Sequence, residues 1–223
     1  MLNMFMNDKI VVVVGGSKGI GLGICDAFNN MGYKVHSISR ENCDITKYDQ
    51  IDSYFKNINK VDILINNAAI NFCKPIEDIS LNEWDSVIKT NLTSYFYIIQ
   101  KCLPLMKRGG KIVNVSSIAG RNKSLVSGVH YTSSKAGLIG LTRQLSQELG
   151  PKGININCVC PSQTLTPMLK NSMTAKQINK LKDQIPLRRI AEVKEIVKPI
   201  LFLCSEDASY IHGACLDING GQL

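Results

Sequence analysis

The chain has 223 residues, of which 44% are hydrophobic and 20% charged, and carries a formal net charge of +8. That length supports one domain, 1–223, with a sizeable core, and the apolar runs are too short to span a bilayer, so no membrane partner is expected. Its lysines and arginines are scattered without a dense basic block, which reads as a solvated surface and excludes a nucleic-acid footprint.

The opening MLNMFMNDK lacks a basic n-region, a long apolar stretch and a small-residue cleavage site, so it does not read as a signal peptide. Residues 10–14 then form an apolar, β-branched run suited to a strand covered on both faces. It breaks into VVVVGGSKGIG, a glycine turn that leads into a helical pattern over 20–31. A second strand follows at 35–39. Only Arg40, Glu41, Asn42 and Cys43 separate it from Asp44, too few for a crossover helix, so the sheet is expected to be abbreviated at this edge. Further helical patterns cover 48–58, 81–106, 131–149 and 193–203, and further strands 61–66, 111–116, 155–160 and 216–218. Alternating β and α segments predict an α/β fold, a Rossmann-like doubly wound parallel sheet with helices on both faces. Ligands bind at the carboxyl ends of such strands, which directs attention to the residues after Val14, Ser39, Asn66, Ser116 and Cys160.

Eight cysteines are dispersed, and the closest pair, Cys158 and Cys160, shares one predicted strand. Alternate residues of a strand make a poor metal clamp without further ligands, so the cysteines are expected to be mostly buried, reduced thiols of a cytoplasmic protein with no metal site. Gly15, Gly19 and Gly21 give G-x-x-x-G-x-G where strand becomes helix, a turn that offers N–H groups to a phosphate or simply packs strand on helix. Tyr131 and Lys135, in YTSSK, are four apart and share a helix face. An ammonium beside a phenol is expected to lower its pKa from about 10, so that the tyrosine exchanges a proton with an alcohol or alkoxide near neutral pH.

Ser116 and Ser117 end a strand fourteen residues before Tyr131, and NNAA (66–69) ends another. With TNLTSYF, SSIAG, YTSSK, PSQTLT and DINGG in this order, nearly the whole chain resembles the short-chain dehydrogenase/reductase family, and its tail is similar to the 3-oxoacyl-carrier-protein reductase group. The resemblance implies a ketone or alcohol substrate and hydride transfer with NADP(H). It implies Tyr131 as general acid/base, Lys135 as its partner and a ligand of the nicotinamide ribose, and Ser117 as the group that holds the substrate oxygen. Asn91 would hold a water leading to Lys135, or else make a structural hydrogen bond. Gly15, Ser17, Lys18, Gly19, Ile20 and Gly21 would line the pyrophosphate turn. Asp44 and Ile45 would contact adenine, Asn67, Ala68 and Ala69 the adenosine ribose, and Thr166 the carboxamide.

Ser39 and Arg40 stand where NAD-preferring relatives carry a carboxylate. Together with Lys18 they leave two cations and no anion, which favours the 2′-phosphate of NADP(H). Three positions depart from the family pattern: Val14 for threonine, Ala69 for glycine and Ser162 for glycine. Residues 164–188 correspond to the family's variable flap, whose Met, Leu and Lys content suits a partly apolar substrate. Arg121 and Lys123 would either steer an acidic carrier protein or stand as ordinary loop charges. A sugar or polyol ketone as substrate, and a non-catalytic NADP(H)-sensing protein, are the alternatives. Helices 81–106 and 131–149 and the chain end correspond to family interfaces, implying a homotetramer or homodimer.

Overall fold

The computed structural model describes residues 8–124, 126–172 and 174–223. Leu125, the first seven residues and Met173 of the expected flap lie outside the described residues. The strands are β1 (Ile10–Val14), β2 (Lys34–Ile38), β3 (Ile63–Asn66), β4 (Lys111–Val115), β5 (Asn155–Pro161) and β6 (Cys215–Ile218). They pair in parallel in the order β2-β1-β3-β4-β5-β6. The helices are α1 (Gly19–Asn30), α2 (Tyr48–Phe55), α3 (Leu81–Ile88), α4 (Ser94–Cys102), α5 (Val129–Leu149), α6 (Pro167–Ser172), α7 (Ala175–Asp183) and α8 (Val193–Leu203). No helix among them is long and apolar enough to cross a membrane.

The valine run of β1 explains the two layers. Val11 and Val13 pack with Ile24 and Phe28 of α1 and Ile196 and Ile200 of α8. Val12 and Val14 face the other way, into a cluster with Ile51 and Phe55 of α2, Tyr95 and Ile98 of α4, and Leu138 of α5. Alternate side chains of a strand point to opposite faces, so a strand buried on both sides must be apolar throughout.

No helix intervenes between β2 and Asp44, and β2 is an edge strand, so the sheet ends there as the short spacing predicts. The chain then passes back over β1 through α2 to reach β3. Strand order therefore reverses at β1, which opens a crevice at the carboxyl ends of β1 and β3.

The predicted helix 81–106 is not continuous. It divides into α3, a π-helical turn at Lys89–Thr93, α4 and a 3-10 turn at Leu103–Leu105. Ser94 places its hydroxyl 2.7 Å from the Lys89 carbonyl five residues back, at the widened turn, and Pro104 ends the regular ladder because it has no N–H to give. The other predicted elements differ from those observed by a few residues at their ends. Of the eight cysteines, Cys73 is exposed and Cys215 half-buried, whereas the other six are buried as expected.

A buried polar chain ties the sheet to α5 directly beneath the crevice. Asn66 Nδ2 donates to Asn114 Oδ1 at 2.8 Å, Asn114 Nδ2 to Thr142 Oγ1 at 2.9 Å, and Thr142 Oγ1 to the Leu138 carbonyl at 2.8 Å. Buried hydrogen-bond chains of this kind fix one relative placement of their elements, here that of α5 on β3 and β4, although Asn66 Oδ1 at its head is left without a partner among the described residues.

Candidate active site

A cleft of about 1070 Å³ opens over the carboxyl ends of the strands. Every predicted site residue lines it except Gly21 and Asn91, which lie just behind its wall. The turn after β1 is built around Gly15, whose φ of +82° lies in the left-handed region. Its N–H donates to the Ile38 carbonyl at 2.7 Å, and its carbonyl accepts from Asn67 Nδ2 at 3.0 Å. The Val14 carbonyl accepts from the N–H groups of Asn67 and Ala68, so backbone bonds anchor the turn without a hydroxyl at position 14. A Cβ on Gly21 would lie 1.9 Å from the Gly15 carbonyl oxygen. The third glycine thus admits the turn itself against the helix. Gly21→Ala is expected to cost about 1–3 kcal/mol, because backbone on both sides leaves no room to relax. Urea unfolding measures this, and an unchanged midpoint would contradict it.

Helix α1 has Lys18 as its N-cap, with no side-chain cap bond and no acidic residue in its first turn, so its first N–H groups keep their partial positive charge where Lys18, Gly19 and Ile20 line the cleft. Thr166 closes over this end, with its Cγ2 3.4 Å from where a Cβ on Gly19 would stand.

At the end of β2, Ser39 N–H donates to Asn42 Oδ1 at 2.9 Å, and Asn42 Nδ2 donates to the Ser37 carbonyl at 2.8 Å. Asn42 therefore shapes the corner that carries Ser39 and Arg40, a role its type alone does not signal. Arg40 and Lys18 are both exposed, and both line the cleft. Asp44 is bound to the side chain and N–H of Thr46, and these bonds hold its carboxyl below the usual range, with Arg40 adding to the effect.

The two serines after β4 separate cleanly. Ser116 is buried and donates to the Lys135 carbonyl at 2.8 Å, a structural bond. Ser117 faces the cleft, accepts from Ala119 N–H at 3.1 Å and hydrogen-bonds the Tyr131 hydroxyl. Lys135 is 1% exposed, donates to the Val115 carbonyl at 2.7 Å and lies 5.6 Å from the centre of the Tyr131 ring.

The expected electrostatics are reversed here. Burial pushes the Tyr131 phenol up to about 12, only partly opposed by Ser117. Burial likewise lowers Lys135 to about 8. Desolvation by burial penalises each charged form and is the leading cause of both shifts.

Asn91 does not face the cleft. Its Oδ1 accepts from Ile70 N–H at 2.9 Å, and its Nδ2 donates to the Ile70 carbonyl at 2.9 Å and to Ser134 Oγ at 3.1 Å. Its side chain thus pins the loop after β3 to the π turn, the structural hydrogen bonding that was the second expectation for this residue. Two further residues were not found from the sequence. Tyr95, fully buried, donates its hydroxyl to the Ala68 carbonyl and so sets the NNAA loop. His130, also fully buried, touches the backbone of Tyr131. Ser162, the departure from glycine, is accommodated with its hydroxyl 2.9 Å from the side-chain oxygens of Gln163 and Gln222.

Residues 36–222 match the family model described as Enoyl-(Acyl carrier protein) reductase. The chain is 34% identical to the 3-oxoacyl-[acyl-carrier-protein] reductase of Buchnera aphidicola, over 96% of this chain and 97% of that one. It is 36% identical to the acetoacetyl-CoA reductase of Rhizobium meliloti, over 96% and 98%. The chain belongs to the short-chain dehydrogenase/reductase family. Among solved structures, Thermoplasma acidophilum aldohexose dehydrogenase superposes with a TM-score of 0.89 at 32% identity, covering 97% of this chain and 94% of that one. Pseudomonas aeruginosa RhlG, in an active-site complex with NADP, gives 0.90 at 25% identity and 96% coverage of both.

As a short-chain dehydrogenase/reductase, the chain is an oxidoreductase acting on CH–OH and C=O groups. Its glycine turn fits the dinucleotide such enzymes use. The first-turn N–H groups of α1 are uncapped, and the turn is drawn so tight that a single methyl at Gly21 would collide with it.

Proposed function

We propose that the chain is an NADPH-dependent ketone reductase that takes a 3-oxoacyl thioester. The observation that carries this reading is the convergence of Ser117, Tyr131 and Lys135 in one cleft whose other end presents Lys18 and Arg40 beside Glu41 and Asp44, with Ser39 rather than a carboxylate directly after β2. NADPH supplies the hydride when bound. Lys18 and Arg40 hold the 2′-phosphate. The N–H groups of the first turn of α1 hold the pyrophosphate, and Asn67, Ala68 and Ala69 line the ribose. Ser117 donates a hydrogen bond to the substrate oxygen and keeps it in reach of Tyr131, whose hydroxyl gives its proton as charge develops there. Lys135 holds positive charge beside the phenol at the moment it becomes phenolate.

Burial holds Tyr131 in its protonated form, the form that reduction uses. A phenol held near 12 is protonated at neutral pH, ready to donate, whereas alcohol oxidation first requires its phenolate. Ile70, Phe72, Val126 and Met168 give the substrate end an apolar wall suited to an acyl chain. Arg121 is paired with Asp217 at 3.1 Å, which leaves Lys123 as the better placed of the two loop cations to meet an acidic carrier. Exposed Leu81 and Phe96 on α3 and α4 support an interface with a second copy, and a monomer by light scattering would remove that part.

A second reading has its own support. Ser86, Thr90, Ser124 and Ser127 also line the cleft and suit a hydroxylated ketone, and one structural relative is an aldohexose dehydrogenase. Following NADPH consumption with acetoacetyl thioesters, sugar ketones and simple diketones separates the two. Fastest turnover on the thioester is expected. A preference for the sugar selects the second reading, and no consumption with any of them sinks both.

A further inference from the structure

Helix α5 begins without a capping side chain, because its N-cap is Gly128. The first N–H groups of a helix have no intrahelical acceptor and need partners from elsewhere. Thr132 N–H is satisfied within the helix by the Gly128 carbonyl at 3.1 Å. Tyr131 N–H is instead taken by Nδ1 of His130 at 2.9 Å. A ring nitrogen that accepts from an amide carries no proton, so the His130 proton sits on Nε2. That atom lies 3.3 Å from Oε1 of Glu83, in the first turn of α3, and Oε2 of Glu83 holds Lys74 Nζ at 2.6 Å.

The ring is locked in this pose. His130 is fully buried, with the Phe72 ring centre 6.1 Å away. A Cβ at position 128 would lie 2.4 Å from both His130 Cε1 and the Phe72 carbonyl oxygen, so only glycine admits the imidazole here. Gly128 N–H in turn donates to that Phe72 carbonyl at 3.0 Å.

The carbonyl of Tyr131 is held in the same manner. Ser134 Oγ donates to it at 2.7 Å while accepting from Asn91 Nδ2 at 3.1 Å. Both backbone polar groups of Tyr131 are therefore clamped by side chains, and both clamps lead back to the α3–π-turn segment.

We propose that His130 is a positioning residue for the reaction: its Nδ1 accepts from Tyr131 N–H, with Glu83 serving only to hold the ring in that pose, and this bond fixes where the phenol stands relative to Ser117 and Lys135. The proposal rests on the reading of Tyr131 as the general acid. Neither His130 nor Glu83 lines the cleft, so losing the bond misplaces the acid without removing any contact to cofactor or substrate. Misplacement of this kind acts on kcat, whereas loss of uniform binding to cofactor or substrate acts on KM.

The test compares His130→Leu, which keeps volume but has no acceptor, with His130→Asn, whose Oδ1 occupies the bonding position of Nδ1. His130→Leu is expected to lower kcat by about ten- to a hundredfold with the NADPH Kd within about threefold of wild type. His130→Asn is expected to recover kcat to within about fivefold of wild type. A His130→Leu enzyme within about threefold of wild-type kcat overturns the proposal, as do two equally impaired variants. An NADPH Kd that rises in step with the loss of kcat also overturns it, because that marks general damage to the fold. Tyr131→Phe run alongside separates the two failures. If it still turns over, the reading of Tyr131 has failed; if it is inactive while His130→Leu is not, only the positioning role has.

Discussion

Tyr131→Phe is expected to lower kcat by about a thousandfold while NADPH binds with essentially unchanged affinity. The substitution removes one oxygen and leaves the ring, so the packing against Lys135 survives. What is lost is the hydroxyl that Ser117 hydrogen-bonds, beside the buried lysine. An oxygen that accepts hydride charge without a proton must leave the cleft as alkoxide or wait for water, and either route is slow in a partly desolvated site. Stopped-flow measurement of NADPH oxidation reads the chemical step, and fluorescence titration reads cofactor binding. Turnover within about tenfold of wild type would end the assignment of Tyr131 as acid. Weakened binding that accounts for the whole loss would end it equally.

Neutralising Lys18 and Arg40 together is expected to reduce the preference for NADPH over NADH by about a hundredfold. Each cation contributes a charge-assisted hydrogen bond to the 2′-phosphate, about 1.4 kcal/mol or tenfold apiece at an exposed site. NADH has no group at that position, so its kcat/KM is expected to stay nearly constant. The ratio of the two kcat/KM values in the Lys18→Ala/Arg40→Ala enzyme is the measurement. An unchanged ratio would show that the two cations are solvent-facing charges and that the cofactor preference is set elsewhere.

Much of this molecule was legible in the chain. The four valines before Gly15 announced a strand buried on both faces, and both faces are packed. The short link between β2 and Asp44 announced an edge, and β2 lies at one. The glycine spacing located the turn, and the four-residue spacing of Tyr131 and Lys135 placed both on the cleft side of α5. Each of these follows from local stereochemistry: a period of two, a period of 3.6, or a backbone angle that only glycine adopts readily.

Other features were set by residues far apart in sequence. The fully helical pattern of 81–106 concealed a π turn, because the widening meets Asn91, which reaches Ile70 and Ser134. The same contacts give Asn91 a structural role that its residue type alone left open. His130 read as an ordinary histidine until Glu83, Phe72 and Gly128 were brought around it.

The acid–base balance shows the division most clearly. Residue types and spacing by themselves determined that a tyrosine and a lysine share a helix face above a nucleotide-binding turn. Spacing carries no information about how much water each group keeps, so it predicted a lowered tyrosine pKa. Only the tertiary structure decided that Tyr131 rises to about 12 and Lys135 falls to about 8. Burial is the sum of everything packed around a group, and that sum is drawn from strands and helices that meet only in the fold.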